Sequence, residues 1–315
     1  MIASCKMRAV GIALSFIGSS SDSIGTLLQK KAQEEATKAA EEEEREEGEL
    51  DYVKTCTWRT GFGLFVFGSI LAFVAIGIVG PSVIVVVSAF ALVVNLVFSP
   101  KILGEARRWS DWVAVFFIVV GICLAITATE TNRKREVVTI SEMAVRVSSR
   151  KAQAVWVTLA ISLIGLTAAC RLPKGQLKPK GSLHHMIFVA RPAISGTTTI
   201  MLAAPTSALI QDPVNGPAWM WALPVAMICS TVLDVHFVNK SLKYNDALFH
   251  APVCFVLWQI FSLLCGAVMY EETNGFGTLQ WAMAGAGIGS TLIGVAVSTL
   301  RPFPGAPGYT RLEFL

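Results

Sequence analysis

Long apolar runs are the feature that most restricts what this chain can fold into. Three of them follow one another closely, at residues 218–237, 247–269 and 279–297. Each is close to the roughly 20 residues that a helix needs to cross the hydrocarbon core of a bilayer. Only 15% of all residues are charged, against about 25% in an average soluble domain. The sequence therefore predicts an all-α polytopic membrane protein.

Nine such segments can be placed along the chain. They are predicted at residues 9–28, 58–79, 82–98, 110–129, 152–170, 186–210, 218–237, 247–269 and 279–297. The predicted organisation is an N-terminal tail (1–8), a first transmembrane helix (9–28), an acidic cytosolic linker (29–56), transmembrane helices 2–4 (57–130), a basic loop (131–151), transmembrane helices 5–9 (152–298) and a C-terminal tail (299–315). Several connections are short, so neighbouring helices are expected to run antiparallel.

The distribution of basic residues predicts the orientation. Nine crossings put the two termini on opposite sides of the membrane. The N-terminal tail and the even-numbered connections hold eight of the 26 lysines and arginines, and most of the remaining 18 lie on the other side. Because cytosolic loops carry the excess of basic residues, we expect the N-terminus outside or in a lumen, and the acidic linker and C-terminus in the cytosol. Lys6 and Arg8, taken alone, favour the opposite orientation of the first helix.

The two parts of the chain at 58–120 and 219–297 resemble each other weakly. Each has a helix, a tight connection, a second helix that ends near glutamate, a tryptophan and a third helix with glycine. Repeated helical units are common in secondary transporters. The general likeness of helical hairpins explains the pattern equally well.

Sequence motifs exclude several other functions. The chain has no phosphate-binding loop, no G-x-S-x-G and no H-E-x-x-H, so we expect neither an enzyme nor a bound cofactor. The basic residues form no face interleaved with aromatic residues, which argues against a nucleic-acid partner. The seven cysteines show no C-x-x-C spacing, which argues against zinc and a disulfide framework.

Two carboxylates lie inside predicted membrane segments. Asp22 precedes Lys30 by eight residues, and Asp234 precedes Lys240 by six, which puts both roughly 10 Å inside the same boundary if the lysines mark it. A charge there costs about 2.5–3.5 kcal/mol on insertion scales unless it faces a cavity or a partner. The sequence predicts one hydrophilic transport cavity with Asp22 and Asp234 as metal ligands, lined by Ser19, Ser20, Asp22, Ser69, Asn95, Asp234 and Asn239. The alternative is that both carboxylates tie helices near the interface.

Other acidic and small residues are predicted to have structural roles. Glu105 is expected at the solvated cytosolic surface, and Glu271 and Glu272 on the opposite side, where they would attract cations to an outer vestibule. Gly285 and Gly289 have a spacing that lets helices approach closely. Helix packing is the favoured meaning of that spacing, and a homodimer stays open.

The sequence resembles a known family in several motifs. They include Val235-His236-Phe237-Val238-Asn239-Lys240-Ser241-Leu242, Asn245-Asp246-Ala247, Ala251-Pro252-Val253 and Tyr270-Glu271-Glu272 in the second half, and Ile17-Gly18-Ser19-Ser20 and Gln29-Lys30-Lys31-Ala32 in the first. They are similar to those of the NIPA-type magnesium transporters, which belong to the drug/metabolite transporter superfamily. The resemblance implies a nine-helix bundle of two related halves in the lipid bilayer of the plasma membrane or an endosome. Its expected substrate is magnesium or a related divalent cation, moved without ATP hydrolysis.

The chain departs from the family pattern at two places. Members commonly carry Gly-Glu followed by Asn-Phe in the second helix, where this chain has Gly68-Ser69 and Ala72-Phe73, and Val86-Val87-Ser88 matches the position of a family proline. Because Ser69 cannot supply a negative charge, Asp22 or Asp234 would have to replace the missing carboxylate. A carrier of an organic solute and a non-transporting scaffold that recruits partners through its acidic linker are the alternative functions.

Overall fold

The computed structural model describes residues 2–42, 51–79, 87–130, 139–170, 182–270 and 276–299. Over these residues it holds ten α-helices, two 3-10 turns and no strand, so the all-α prediction is confirmed. The helices are α1 (Ile2–Glu42), α2 (Cys56–Val79), α3 (Phe90–Leu103), α4 (Trp109–Glu130), α5 (Ile140–Ser148), α6 (Arg150–Ala169), α7 (Ser182–Gln211), α8 (Ala222–Tyr244), α9 (Ala247–Met269) and α10 (Thr278–Thr299). The 3-10 turns are Asp51–Lys54 and Ala218–Trp221.

Six segments within the described ranges are long and apolar enough to cross a membrane. They are Cys56–Ala75, Arg150–Ala169, His185–Gln211, Ala218–Tyr244, Ala247–Met269 and Thr278–Val297. Phe90–Leu103 and Trp109–Leu124 are shorter apolar helices. The polytopic membrane character is therefore supported by the fold, whereas nine crossings stay a prediction. α1 is not among the six, and its apolar part contains Asp22 and several serines.

Helix ends differ from the predicted ones where polar residues are buried. α1 continues far past the predicted boundary at residue 28, and Gln29, Lys30 and Gln33 are buried within it. α8 likewise continues through most of the predicted connector at 238–246 and stops only before Asn245. The next helix, α9, begins directly after, where the Asp246 carbonyl accepts its first amide hydrogens, from Phe249 (3.1 Å) and His250 (2.7 Å).

The short helix α5 lies within the predicted basic loop. Its start is fixed by a capping box, in which the Thr139 hydroxyl accepts the Glu142 amide and the Glu142 side chain accepts the Thr139 amide. Such reciprocal bonds satisfy two of the amides that a helix start leaves open. Ile140 and Ala144 then pack with Leu209 and Met220, so this connection is an ordered part of the fold.

The chain forms two compact units, each built from segments that are not consecutive in the sequence. The first combines 1–126 with 242–252 and 289–315, and the second combines 127–241 with 253–288. The core of the second unit is a buried cluster of residues from α5, α6, α7 and α9, namely Val147, Ala152, Val155, Leu159, Ile194 and Met269.

Glycines set the antiparallel contact of α1 and α2 in the first unit. Gly25 faces Gly61, and a Cβ built on Gly25 would lie 2.5 Å from the Gly61 carbonyl oxygen. Gly18 faces Gly68 in the same way, and a Cβ on Gly18 would lie 2.8 Å from the Gly68 oxygen. On each helix the two glycines are seven residues apart, which is about two helical turns. The two backbones therefore touch along one line, as small residues allow in membranes.

A side chain at Gly25 should break this contact. We expect Gly25→Leu to destabilise the protein by about 3 kcal/mol or more, since overpacking commonly costs 1–3 kcal/mol and here the obstacle is backbone. Gly63→Leu is the matched control, because a Cβ on Gly63 meets no atom within 4 Å. Thermal unfolding of purified protein in detergent measures both, and equal midpoints for the two variants would contradict the close α1–α2 contact.

Candidate functional site

Asp22 lies on α1 between the two glycines of the α1–α2 contact. Its side chain is half-buried and its Oδ1 atom is fully buried. A Cβ built on Gly68 would overlap the Asp22 carboxylate and would lie 2.8 Å from its Cγ. The carboxylate therefore rests on the bare backbone of α2, one residue from Ser69.

Ser19, Ser20 and Ser23 lie within three residues of Asp22 along α1. Ser19 donates to the Ser15 carbonyl (2.9 Å) and Ser20 to the Phe16 carbonyl (2.8 Å). Ser23 donates to the Ala91 carbonyl (3.1 Å), which ties α1 to the start of α3. Each hydroxyl donates its hydrogen to a carbonyl, and its oxygen keeps two lone pairs that can accept. These oxygens can therefore still accept a hydrogen bond from a hydrated cation.

Asp234 lies in the second unit, on α8. A Cβ built on Gly196 of α7 would lie 3.7 Å from Asp234 Oδ1 and 3.1 Å from Trp258. The predicted site residues are thus divided: Ser19, Ser20, Asp22, Ser69 and Asn95 belong to the first unit, and Asp234 and Asn239 to the second. A cavity shared by Asp22 and Asp234 stays a prediction.

The two predicted asparagines make structural hydrogen bonds. Asn95 donates to the Ala247 carbonyl (3.0 Å), which ties α3 to the start of α9. Asn239 is buried and donates to the Val235 carbonyl of its own helix (2.9 Å). Their amide hydrogens therefore serve packing, and neither bond involves a predicted metal ligand.

A row of hydroxyl groups beside Asp234 was missed by the sequence analysis. Ser195 and Ser230 each donate to the carbonyl of the other (3.2 and 3.1 Å), and Thr199 lies 2.9 Å from the Ser230 hydroxyl. Ser230 precedes Asp234 by one helical turn. The run Ser195-Gly196-Thr197-Thr198-Thr199 within an apolar helix was the available signal.

Arg191 is a buried charged residue that the sequence did not lead us to predict. It lies within the span His185–Gln211 and is only 3% exposed. Its guanidinium stands 4.4 Å from the centre of the Phe188 ring and 5.2 Å from that of Phe237. Such cation–π contacts are worth about 2 kcal/mol where water is excluded, so they help a charge to persist in this place.

The strongest polar cluster joins distant parts of the first unit. Lys30 Nζ lies 2.5 Å from Glu105 Oε1, 2.9 Å from the Asn245 carbonyl and 3.8 Å from Asp246 Oδ1. The Lys30 and Glu105 side chains are 4% and 0% exposed. The prediction that Glu105 lies at a solvated surface is therefore wrong, and Lys30 does not mark the membrane boundary as a free cation would.

Glu105 is buried because it caps a helix. Its two oxygens accept the Ala247 and Leu248 amides of α9, at 2.7 and 2.9 Å, and the Ser99 hydroxyl at 2.7 Å. Helix starts leave such amides without an intrahelical partner and favour negative charge. Burial alone would raise the pKa of Glu105, but the Lys30 charge and the hydrogen bonds lower it to about 2. The carboxylate is thus ionised and its acceptor capacity is used.

No ready-made metal cage is present in the part of the chain that the structure describes. No three His, Cys, Asp or Glu side chains there are grouped to hold a metal ion. Glu271 and Glu272 lie outside the described residues. A Cβ on Gly285 or Gly289 meets no atom within 4 Å, and the homodimer stays a prediction.

Six apolar helices of membrane-spanning length within the described residues, one of which carries Asp234 in its interior, define a polytopic membrane protein. Ionisable residues inside such helices commonly mark substrate or ion pathways. The family described as "Magnesium transporter NIPA" matches residues 6–301. The chain belongs to that family, as its motifs predict.

Named relatives agree with this membership. The chain is 25% identical to the probable magnesium transporter NIPA7 of Arabidopsis thaliana, over 90% of this chain and 83% of the relative. It is 22% identical to the probable magnesium transporter NIPA8 of the same plant, over 91% and 68%. It is also 22% identical to NIPA-like protein 2 of Mus musculus, over 86% and 68%. No solved structure matches the chain.

Removing Lys30 should leave a buried negative charge. We expect Lys30→Met to destabilise the protein by about 3–5 kcal/mol, and the double variant with Glu105→Gln to recover part of that loss. Lys31→Met is the matched control, since its ion pair with Glu35 is 44% and 48% exposed and should be worth less than about 1 kcal/mol. Chemical unfolding in detergent tests this, and equal losses at the two lysines would refute a special role for Lys30.

The low pKa of Glu105 predicts a pH window. Because its pKa in the folded protein is about 2 against an ordinary 4.5, the ionised carboxylate contributes its full stabilisation above 4.5 and loses it as the pH falls towards 2. The stability difference between the native protein and Glu105→Gln should be constant at neutral pH and shrink in acid. Unfolding midpoints of the two proteins, measured from about pH 8 to about pH 3, test the window, and a change centred near neutral pH would contradict it.

Proposed function

We propose that the protein transports Mg²⁺, or a related divalent cation, without ATP hydrolysis, and that Asp22 is a ligand of the ion. The observation that carries the proposal is the Asp22 carboxylate on the bare backbone of Gly68. It supplies a negative charge next to Ser69, at the position in the second helix where the family pattern has glutamate. A carboxylate in this place is expensive for the fold, which is why a functional role is favoured.

The chemistry of the surroundings suits a hydrated ion. Mg²⁺ dehydrates reluctantly, keeps several waters and is commonly held by only one or two carboxylates. A cluster of three ligand side chains is therefore not required. The hydroxyls of Ser19 and Ser20 beside Asp22, and of Ser195 and Ser230 near Asp234, would accept hydrogen bonds from the waters of the ion. Asp234 is proposed as the ligand in the second unit.

Contacts within each unit support the nine-crossing topology. In the first unit, Lys30, Glu105 and Asn245 come together, and they belong to the predicted first, third and seventh connections. In the second unit, Arg146 donates to the Tyr270 carbonyl (3.3 Å), which relates the fourth connection to the eighth. A Cβ on Gly216 would lie 3.0 Å from Ile140, which relates the sixth to the fourth.

Odd-numbered connections therefore meet odd-numbered ones, and even-numbered connections meet even-numbered ones. Nine crossings require this parity, since successive connections alternate between the two sides of the membrane. With the basic residues counted above, we propose that the N-terminus is outside or lumenal and that the Lys30–Glu105 pair lies at the cytosolic end of the bundle. The plasma membrane or an endosomal membrane is the proposed location.

Mg²⁺ uptake into proteoliposomes that contain the purified full chain tests the function. We expect Asp22→Asn and Asp234→Asn each to lower the uptake rate at least about tenfold, since the loss of even an outer-shell partner of a metal ligand costs that much. Asp212→Asn is the control, because Asp212 follows α7 in a connection and its carboxylate accepts hydrogen bonds from the nearby Asn215 side chain. Both variants at the wild-type rate, with normal expression, would exclude the two ligands. Uptake of an organic solute in place of Mg²⁺ would favour the carrier hypothesis, and uptake of neither would favour a scaffold.

A further inference from the structure

We infer that Gly68 is a positioning residue for transport: the absence of a side chain at this position fixes where the Asp22 carboxylate presents its oxygens to the ion. The inference rests on the proposed function, in which Asp22 is a ligand. It assigns to α2 a part in ion binding although α2 contributes no charge near this point.

Two oxygens converge on the backbone of Gly68. A Cβ built there would overlap Asp22 Oδ1 and would lie 2.5 Å from the Gly18 carbonyl oxygen. Any residue with a side chain would therefore push one or both oxygens away. A glycine Cα bears two hydrogens, and close contacts between Cα hydrogens and oxygen recur at helix–helix interfaces with a modest stabilisation. The missing side chain of Gly68 thus leaves the space that the carboxylate occupies. The Cα hydrogens of Gly68 form the surface beside it.

Gly61 shows that close packing alone does not explain Gly68. A Cβ on Gly61 would lie 2.7 Å from the Gly25 oxygen, 2.9 Å from Leu28 Cβ and 3.0 Å from the Gln29 amide nitrogen. The backbones approach as closely as at Gly68, seven residues away on the same helix, but no carboxylate is involved. The two positions therefore separate packing from carboxylate placement.

A methyl group at position 68 would move the Asp22 carboxylate without removing its charge. Aspartate has two side-chain torsions with few allowed rotamers in a helix, so the carboxylate must turn to another rotamer or the helices must separate. Metal sites depend on ligand distances within about 0.2 Å, and Mg²⁺ demands near-ideal geometry. The affinity for the ion should therefore fall more than the maximal transport rate.

Kinetics of Mg²⁺ uptake by the full chain in proteoliposomes test the inference. Gly68→Ala should raise the KM for Mg²⁺ about tenfold, the scale of effects on metal affinity when a ligand loses its support. Gly61→Ala should lower the unfolding midpoint about as much as Gly68→Ala does. It should leave the KM of the folded protein for Mg²⁺ near the wild-type value. Asp22→Glu keeps all four glycines and shifts the carboxylate by one methylene, so it should raise the KM as well, even if Gly68→Ala does not fold.

The outcomes are distinguishable. Wild-type Mg²⁺ transport by Asp22→Asn would exclude Asp22 as a ligand, and the positioning role of Gly68 with it, and absence of Mg²⁺ uptake by the wild-type protein would overturn the proposed function itself. Reduced transport by Asp22→Asn together with an unchanged KM for Gly68→Ala, or for Asp22→Glu where Gly68→Ala does not fold, would leave the ligand in place and overturn the positioning role. An equal rise in KM for Gly61→Ala and Gly68→Ala would also overturn it, because packing would then explain both.

Discussion

The ion pair of Lys30 and Glu105 is the interaction on which the first unit depends. Two opposite charges that are both buried cost several kcal/mol each to desolvate, and the pair is favourable only when the remaining hydrogen-bonding groups are satisfied. Here they are, because the Glu105 oxygens also accept the Ser99 hydroxyl and two amides of α9. One carboxylate thereby joins α1, the connection between α3 and α4, and the start of α9, three segments that are far apart in the sequence.

At the α1–α2 contact, Gly68 makes room for the Asp22 carboxylate. A charged group inside an apolar bundle needs space and a polar surface, and a tightly packed helix pair usually provides neither. Gly68 provides both, because the bare backbone leaves room for Asp22 and exposes Cα hydrogens to its oxygen. In the second unit a glycine also lies beside the carboxylate, since a Cβ on Gly196 would be 3.7 Å from Asp234 Oδ1.

Features that depend on local sequence were predictable, and those that depend on distant contacts were not. The apolar run Ala247–Met269 has the same two ends in the structure as in the prediction, and the Asp246 carbonyl accepts the first hydrogen bonds of that helix. The buried end of α1 and the role of Glu105 were not foreseen, because polarity predicted exposure and only the fold brings Lys30 to Glu105. The charge of Asp22 was visible in the sequence, but its contact with Gly68 depends on how two helices are rotated. The row at Ser195–Thr199 was visible as a run of small hydroxyl residues and was overlooked.

The shared carboxylate at the start of α9 also restricts how the sequence can change over evolutionary time. Replacement of Lys30 alone leaves a buried anion, and replacement of Glu105 alone leaves a buried cation together with the two α9 amides. Either single step leaves an unpaired buried charge, whereas a paired change leaves none. Substitutions at these two positions, which are 75 residues apart, are therefore expected to occur together.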